Sequence, residues 1–164
     1  SLACTFDFII DDNLWSIYSY NMINQMTPDQ ISIHWEELSK GFSRAIPPHA
    51  GGGPQLMVNL LESCISGRMQ VWAWTEGEEM QGAVLTTITT DPGTFTRNLY
   101  IYAIYTKEGK TPQGVWNEGY EVLGKFAQVN KCYAVTAFSD IEGMESLTKL
   151  VGMKPFMMLY YKEI

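Results

Sequence analysis

Residues 98–116, NLYIYAIYTKEGKTPQGVW, decide the fold. After Asn98, the next seven are aromatic or aliphatic, and the stretch reads as a buried strand. Beyond the loop, Trp116, Tyr120, Leu123 and Ala127 recur at helical spacing, which predicts a helix from about 114 to 130. The polar stretch between them offers two ways to hold a phosphate. Gly109-Lys110-Thr111 is the tail of a P-loop, but that motif needs a glycine five residues earlier, where Ile104 stands inside the strand. The other is the helix start at Gln113-Gly114, where unpaired N–H groups and the helix dipole favour an anion.

Working outward, the chain alternates strands and helices. CTFDFIIDD near the start reads as a strand, and NLWSIYSYNMIN is open between a short helix and an extended segment. Thr27-Pro28-Asp29-Gln30 is a capping box with proline at the first helical position. Ile31, Trp35, Leu38 and Phe42 then form one apolar face, and IPPHAGGGP ends that helix. Pro54 opens a second helix with Met57, Leu60, Leu61, Cys64 and Ile65 inward, stopped by Gly67. MQVWAW, TEGEE and MQGAVLTTITT make a hairpin, and DPGT turns the chain into the strand of the opening quotation. Downstream, CYAVTAF reads as a strand, IEGMESLTKLVG as a short helix closed by Gly152, and KPFMMLYYKEI as a last strand. No repeat or linker interrupts this order, so residues 1–26 are read as an N-terminal extension and 27–164 as the core of one domain. The order calls for an α/β fold: a mixed, mostly antiparallel sheet with helices on both faces.

Composition narrows the function classes. With 164 residues, 46% hydrophobic and 13% aromatic, the chain can build a sizeable core. Its formal net charge of -7 argues against nucleic acid and anionic membrane surfaces, both of which need a positive face. Cys4, Cys64 and Cys132 are too sparse for a disulfide scaffold and predict reduced thiols in a cytosol-like compartment. His34 and His49 alone do not make a zinc site, so no metal is expected. No apolar run reaches the ~20 residues of a membrane helix, and the opening residues carry no secretory-signal pattern.

From about residue 28 onward, this order resembles the GNAT family of N-acetyltransferases. In that family a central strand leads through a loop to a helix whose N-terminus takes the pyrophosphate of acetyl-CoA. The family loop, Gln/Arg-x-x-Gly-x-Gly/Ala, aligns with Thr111-Pro112-Gln113-Gly114-Val115-Trp116. Only Gly114 matches: Thr111 replaces the Gln or Arg, and Trp116 stands at a small-residue position. SLTKLVGMKPF resembles the family ending, with Leu147, Gly152 and Met153 at its Leu, Gly and Phe. Thr148 falls where the family's tyrosine protonates the departing thiolate, and a threonine hydroxyl is a far weaker acid than a phenol of pKa ~10. HWEELSKGF, GRMQVWAW and GMESLTKLVGM are also similar in texture to short GNAT-like proteins of tailed bacteriophages.

The resemblance implies acetyl transfer from acetyl-CoA to an amine on a small molecule or protein. Ile104, Tyr105, Thr111, Gln113, Gly114 and Val115 would hold the cofactor, weakly given the departures above. Tyr100, Tyr102 and Thr148 are the candidate catalytic groups. Tyr100 and Tyr102 share a strand face, and a phenol can donate a proton or hold an amine. Tyr160 and Tyr161 are further tyrosines of the same kind. Glu76, Glu78 and Glu79 are better read as a solvated turn than as a base, and Cys132 as packing. The alternative is a non-catalytic GNAT-fold interaction or virion-associated phage protein. It would contact a protein partner, or a second copy of itself, through alternating Trp and Thr around Trp72 and Trp74. Those two readings place the protein in a host cytoplasm or a virion.

Overall fold

The structure is a computed structural model. It describes residues 23–46, 51–107, 113–138 and 151–155, with positions 160, 162 and 164. The CTFDFIIDD segment, the loop 108–112, Thr148 and most of the closing helix and strand lie outside the described residues.

Five strands and three helices follow one another as β1 (Ile23–Gln25), α1 (Pro28–Ser43), α2 (Pro54–Ile65), β2 (Met69–Glu76), β3 (Glu79–Thr90), β4 (Arg97–Thr106), α3 (Gln113–Val129) and β5 (Ala134–Ala137). The strands make one mixed sheet in the order β1-β2-β3-β4-β5, antiparallel except for the parallel pair β4–β5. This is the sheet the pattern predicts, with one addition. Ile23–Gln25, placed by the sequence reading in the extension, form the edge strand against Trp72–Trp74. A three-residue strand carries too little periodicity to be read without its partner.

α1 starts as its capping box dictates. The Gln30 N–H donates to Thr27 Oγ1 (3.3 Å) and the Thr27 N–H donates to Gln30 Oε1 (2.9 Å). Ile31, Leu38 and Phe42 are buried, and Trp35 is half-buried beside them. In α2 Leu60 and Cys64 are buried and Met57 and Leu61 half-buried, but Ile65 is exposed because the helix ends there, before Gly67 (φ 79) turns the chain.

α1 and α2 cover one sheet face, over Val71, Ala73, Ala83, Leu85 and Ala103. The other face holds Trp72, Trp74, Val84 and Leu99 beneath Val115, Leu123 and Ala127 of α3. Trp72 and Trp74 are therefore core residues, 4% and 3% exposed, and not a contact face for a partner. The α3 stripe is also turned from the one expected: Val115, Leu123 and Ala127 are buried, Trp116 is half-buried and Tyr120 is exposed. Gly119 hides the true stripe, because it has no side chain to mark the inner face. A Cβ there would lie 2.6 Å from Ile23 Cδ1, so the glycine lets β1 pass close to the helix.

Candidate active site at the opening between β4 and β5

Asn98 to Ile101 pair with Ala134 to Ala137, and there the β4–β5 ladder stops. On that edge, residues 102–106 of β4 have no strand partner among the described residues, while their other edge pairs with β3. Backbone polar groups need partners, so this edge is open to a ligand that hydrogen-bonds as a strand does.

A β-bulge sits at the same point. Leu85 pairs with Ala103 and Thr86 with Ile101, which leaves Tyr102 as an extra residue. In a regular strand Tyr105 would face away from Tyr100 and Tyr102. The bulge resets the alternation and puts all three on the α1–α2 face: Tyr102 and Tyr105 pack against that core, and the Tyr100 and Tyr102 rings meet edge-to-face at 5.9 Å. Phe138, just past β5, extends the cluster at 5.4 Å from Tyr100. Sequence periodicity paired Tyr100 with Tyr102 correctly but could not place Tyr105 with them.

The phenol oxygens of Tyr100 and Tyr105 are buried and find no hydrogen-bond partner among the described residues. Burial raises the pKa of Tyr100 and, secondarily, so does Tyr102; burial alone raises that of Tyr102. Tyr105 is pushed up to about 12, first by burial and then by the Glu37 carboxylate. All three phenols therefore stay protonated near neutral pH and serve as donors, not bases. Glu37 escaped the sequence reading because it lies on an exposed helix position. The signal was its spacing: it stands one turn before Gly41, whose backbone touches the Tyr105 ring.

On the opposite face the opening meets the start of α3. Gln113, Gly114 and Val115 supply its first N–H groups, which have no intrahelical acceptor. Among the described residues nothing lies within 4 Å of where a Gly114 side chain would stand, which leaves its backbone accessible on that side to a ligand. The Val115 side chain is 2% exposed and packs into the core, which leaves its backbone as the only part able to bind. Trp116 and Ile104, with Ile101, Ala137, Val151 and Met153, line a wholly apolar cavity of about 60 Å³ at the opening. Thr111 and Thr148 lie outside the described residues.

The remaining candidates are peripheral. Glu76 and Glu78 are exposed in the hairpin turn, and Glu79 pairs with Lys107, which holds its carboxyl below the usual range. Cys64 is buried and its thiol is pushed up to about 11, so it is inert as a nucleophile. Cys132 is half-buried, and Tyr160 is exposed. Among the described residues no three His, Cys, Asp or Glu side chains converge as a metal site, and no helix is long and apolar enough to cross a membrane.

The backbone superposes on solved acetyltransferases over most of its length. The chain superposes on AAC(6')-Iy, in complex with the bisubstrate analogue CoA-S-monomethyl-acetylneamine, with a TM-score of 0.69. Identity is 12%, over 88% of this chain and 99% of that one. This is the GNAT acetyltransferase fold. An aminoglycoside acetyltransferase from an uncultured soil metagenomic sample matches at TM-score 0.66 and 18% identity, over 88% of this chain and 99% of its own. A ribosomal-protein-alanine N-acetyltransferase from Brucella melitensis biovar Abortus 2308 gives 0.66 at 13%, with the same coverage. No protein-family model and no curated protein matches the sequence. The GNAT likeness is thus carried by the backbone, at identities that sequence patterns alone barely register.

Proposed function

We propose that this GNAT-fold chain is an acyltransferase that moves an acetyl group from acetyl-CoA to an amine. The observation that carries this reading is the parting of β4 from β5 beyond Ile101 and Ala137, beside the first N–H groups of α3. Acetyl-CoA, when bound, supplies a thioester carbonyl open to attack by an amine. The β4 edge at 102–106, without a strand partner among the described residues, is suited to hold an amide-bearing arm, and the backbone of Gln113, Gly114 and Val115 to hold phosphate oxygens. Tyr100 and Tyr102 lie on the other face, where they can orient an incoming amine with neutral donors and ring faces. Glu37 adds a negative charge that draws an ammonium group to that face. The Tyr105 hydroxyl, buried without a partner among the described residues, is a second donor, and Thr148 is the residue that the sequence alignment sets at the position of the family's acid. Holding both reactants in one gap is the main source of rate enhancement this site offers.

The acceptor is an amine of a small molecule or of a protein; the neighbours' names include both kinds. Trp116 limits cofactor entry, because it fills part of the opening and leaves only about 60 Å³.

One observation favours a second reading, a non-catalytic interaction protein, virion-associated if phage-encoded. The described residues that line the cavity at the opening are aliphatic and aromatic, with no carboxylate or imidazole among them to act as a base. Calorimetric titration of acetyl-CoA into the natural protein and into Thr111→Arg/Trp116→Gly distinguishes the two. The expected result is weak saturable binding to the natural protein, tightened in the double variant, with the thermal midpoint rising in parallel. Absence of binding to both proteins, each shown folded by circular dichroism, overturns the transferase and leaves the interaction protein.

A further inference from the structure

A second pocket lies at the other end of the sheet, away from the β4–β5 opening. β1 stops at Gln25 opposite Trp72, so among the described residues Met69 and Gln70 at the start of β2 have no strand on their outer side. The gap is a cavity of about 430 Å³, within the ~300–1,000 Å³ of small-molecule sites. Gln25, Gln70, Asn130 and Arg97 give it a polar side, and Ile88 and Phe126 an apolar one.

Arg97 is the informative residue. It is half-buried, lines the cavity, and makes no salt bridge among the described residues. This is a chain with 18 acidic and 11 basic side chains, yet no acid is among the described residues lining this pocket. A half-buried arginine with no counter-charge among the described residues around it is a ready partner for an anion that enters the cavity. Its surroundings are already fixed. The Trp72 indole N–H donates to Thr86 Oγ1 (2.9 Å), whose hydroxyl donates to Gln70 Oε1 (3.0 Å), while Gln70 Nε2 donates to the Gly67 carbonyl (3.3 Å). Asn130 Nδ2 donates to the Phe126 carbonyl (2.9 Å), and the Tyr133 N–H donates to the Arg97 carbonyl (2.7 Å). Groups held in place before a ligand binds lose little freedom when it does.

We propose that this cavity binds a small organic carboxylate with an apolar body. The carboxylate takes the planar fork of Arg97, and the body lies on Ile88 and Phe126. A single charge is favoured over a phosphate dianion, because the cavity offers one cation and sits beside the C-terminal end of α3, whose dipole opposes extra negative charge. The site is independent of the acetyl-transfer reading.

Calorimetry on the full chain with phenylacetate tests this. 2-Phenylethanol (the same ring without charge) and acetate (the charge without a ring) serve as controls. The expected result is saturable one-to-one binding of phenylacetate, with both controls weaker by about tenfold or more. Arg97→Gln lowers the affinity by about tenfold or more, and Arg97→Lys by less. Gln25→Trp, at an exposed rim position, blocks the mouth without touching the core and gives the same loss should Arg97→Gln fail to fold. Absence of saturable binding to the natural protein overturns the proposal. So does equal binding of 2-phenylethanol, or unchanged binding in folded Arg97→Gln or Gln25→Trp.

Discussion

The Tyr105 ring lies flat on the backbone of Gly41. A Cβ at Gly41 would stand 2.5–2.6 Å from three of its ring carbons, and Phe42 meets the same ring edge-on at 5.4 Å and 88°. This contact locks α1 to the last residues of β4, beside the opening of the sheet. Gly41→Ala sets two effects against each other. Alanine gains about 1 kcal/mol of helix propensity, but the added methyl overpacks a ring held between helix and sheet, at a cost of about 1–3 kcal/mol. A net loss of stability is expected, seen as a lower urea midpoint at unchanged slope. A gain in midpoint would show that the ring yields freely.

Tyr105 also makes stability depend on alkaline pH. Its folded pKa is pushed up to about 12, above the ~10 of an unfolded tyrosine. Below pH ~10 both states keep the proton. Between ~10 and ~12 the unfolded state loses it first, so stability falls as pH rises through that window. Tyr105→Phe should flatten this loss. Near neutral pH it should leave stability equal or raise it by about 1 kcal/mol, because it removes a buried hydroxyl that has no partner among the described residues. Urea melts of both proteins at pH 7 and pH 11 measure the difference.

Thr86 is fully buried and links the indole of Trp72 to the amide of Gln70. Thr86→Val keeps the shape but leaves the indole N–H without an acceptor and Gln70 without a donor. The expected cost is about 1–3 kcal/mol in a denaturant melt. Thr86→Ser, which keeps the hydroxyl, should recover most of it.

Leu123 is 5% exposed and packs with Val115 and Ala127 against the sheet. Leu123→Ala should destabilise by about 2–5 kcal/mol, through lost burial and the cavity it leaves. It also borders the apolar space at the opening, so the void adds to one already present. A change below about 0.5 kcal/mol would mean that α3 turns another face inward.

The sequence by itself determined the elements whose signals are local. The capping box at Thr27 and Gln30, Pro54 at the start of α2, Gly67 after its end, and the apolar run 99–105 each act within a few residues, so each could be read without a partner. Their order was enough to call for the mixed sheet and to suggest the GNAT architecture. Tertiary structure decided whatever depends on contact between distant segments. Ile23–Gln25 became a strand only because Trp72–Trp74 offered an edge. Trp72 and Trp74 were buried because α3 came to lie over them. Tyr105 joined Tyr100 and Tyr102 because pairing with β3 places an extra residue at Tyr102, a shift that no alternation within β4 reveals. Arg97 and Gln70, 27 positions apart in sequence, line one cavity because β1 is too short to fill it. Periodicity records which side of a segment is apolar; strand register and strand length decide what that side meets.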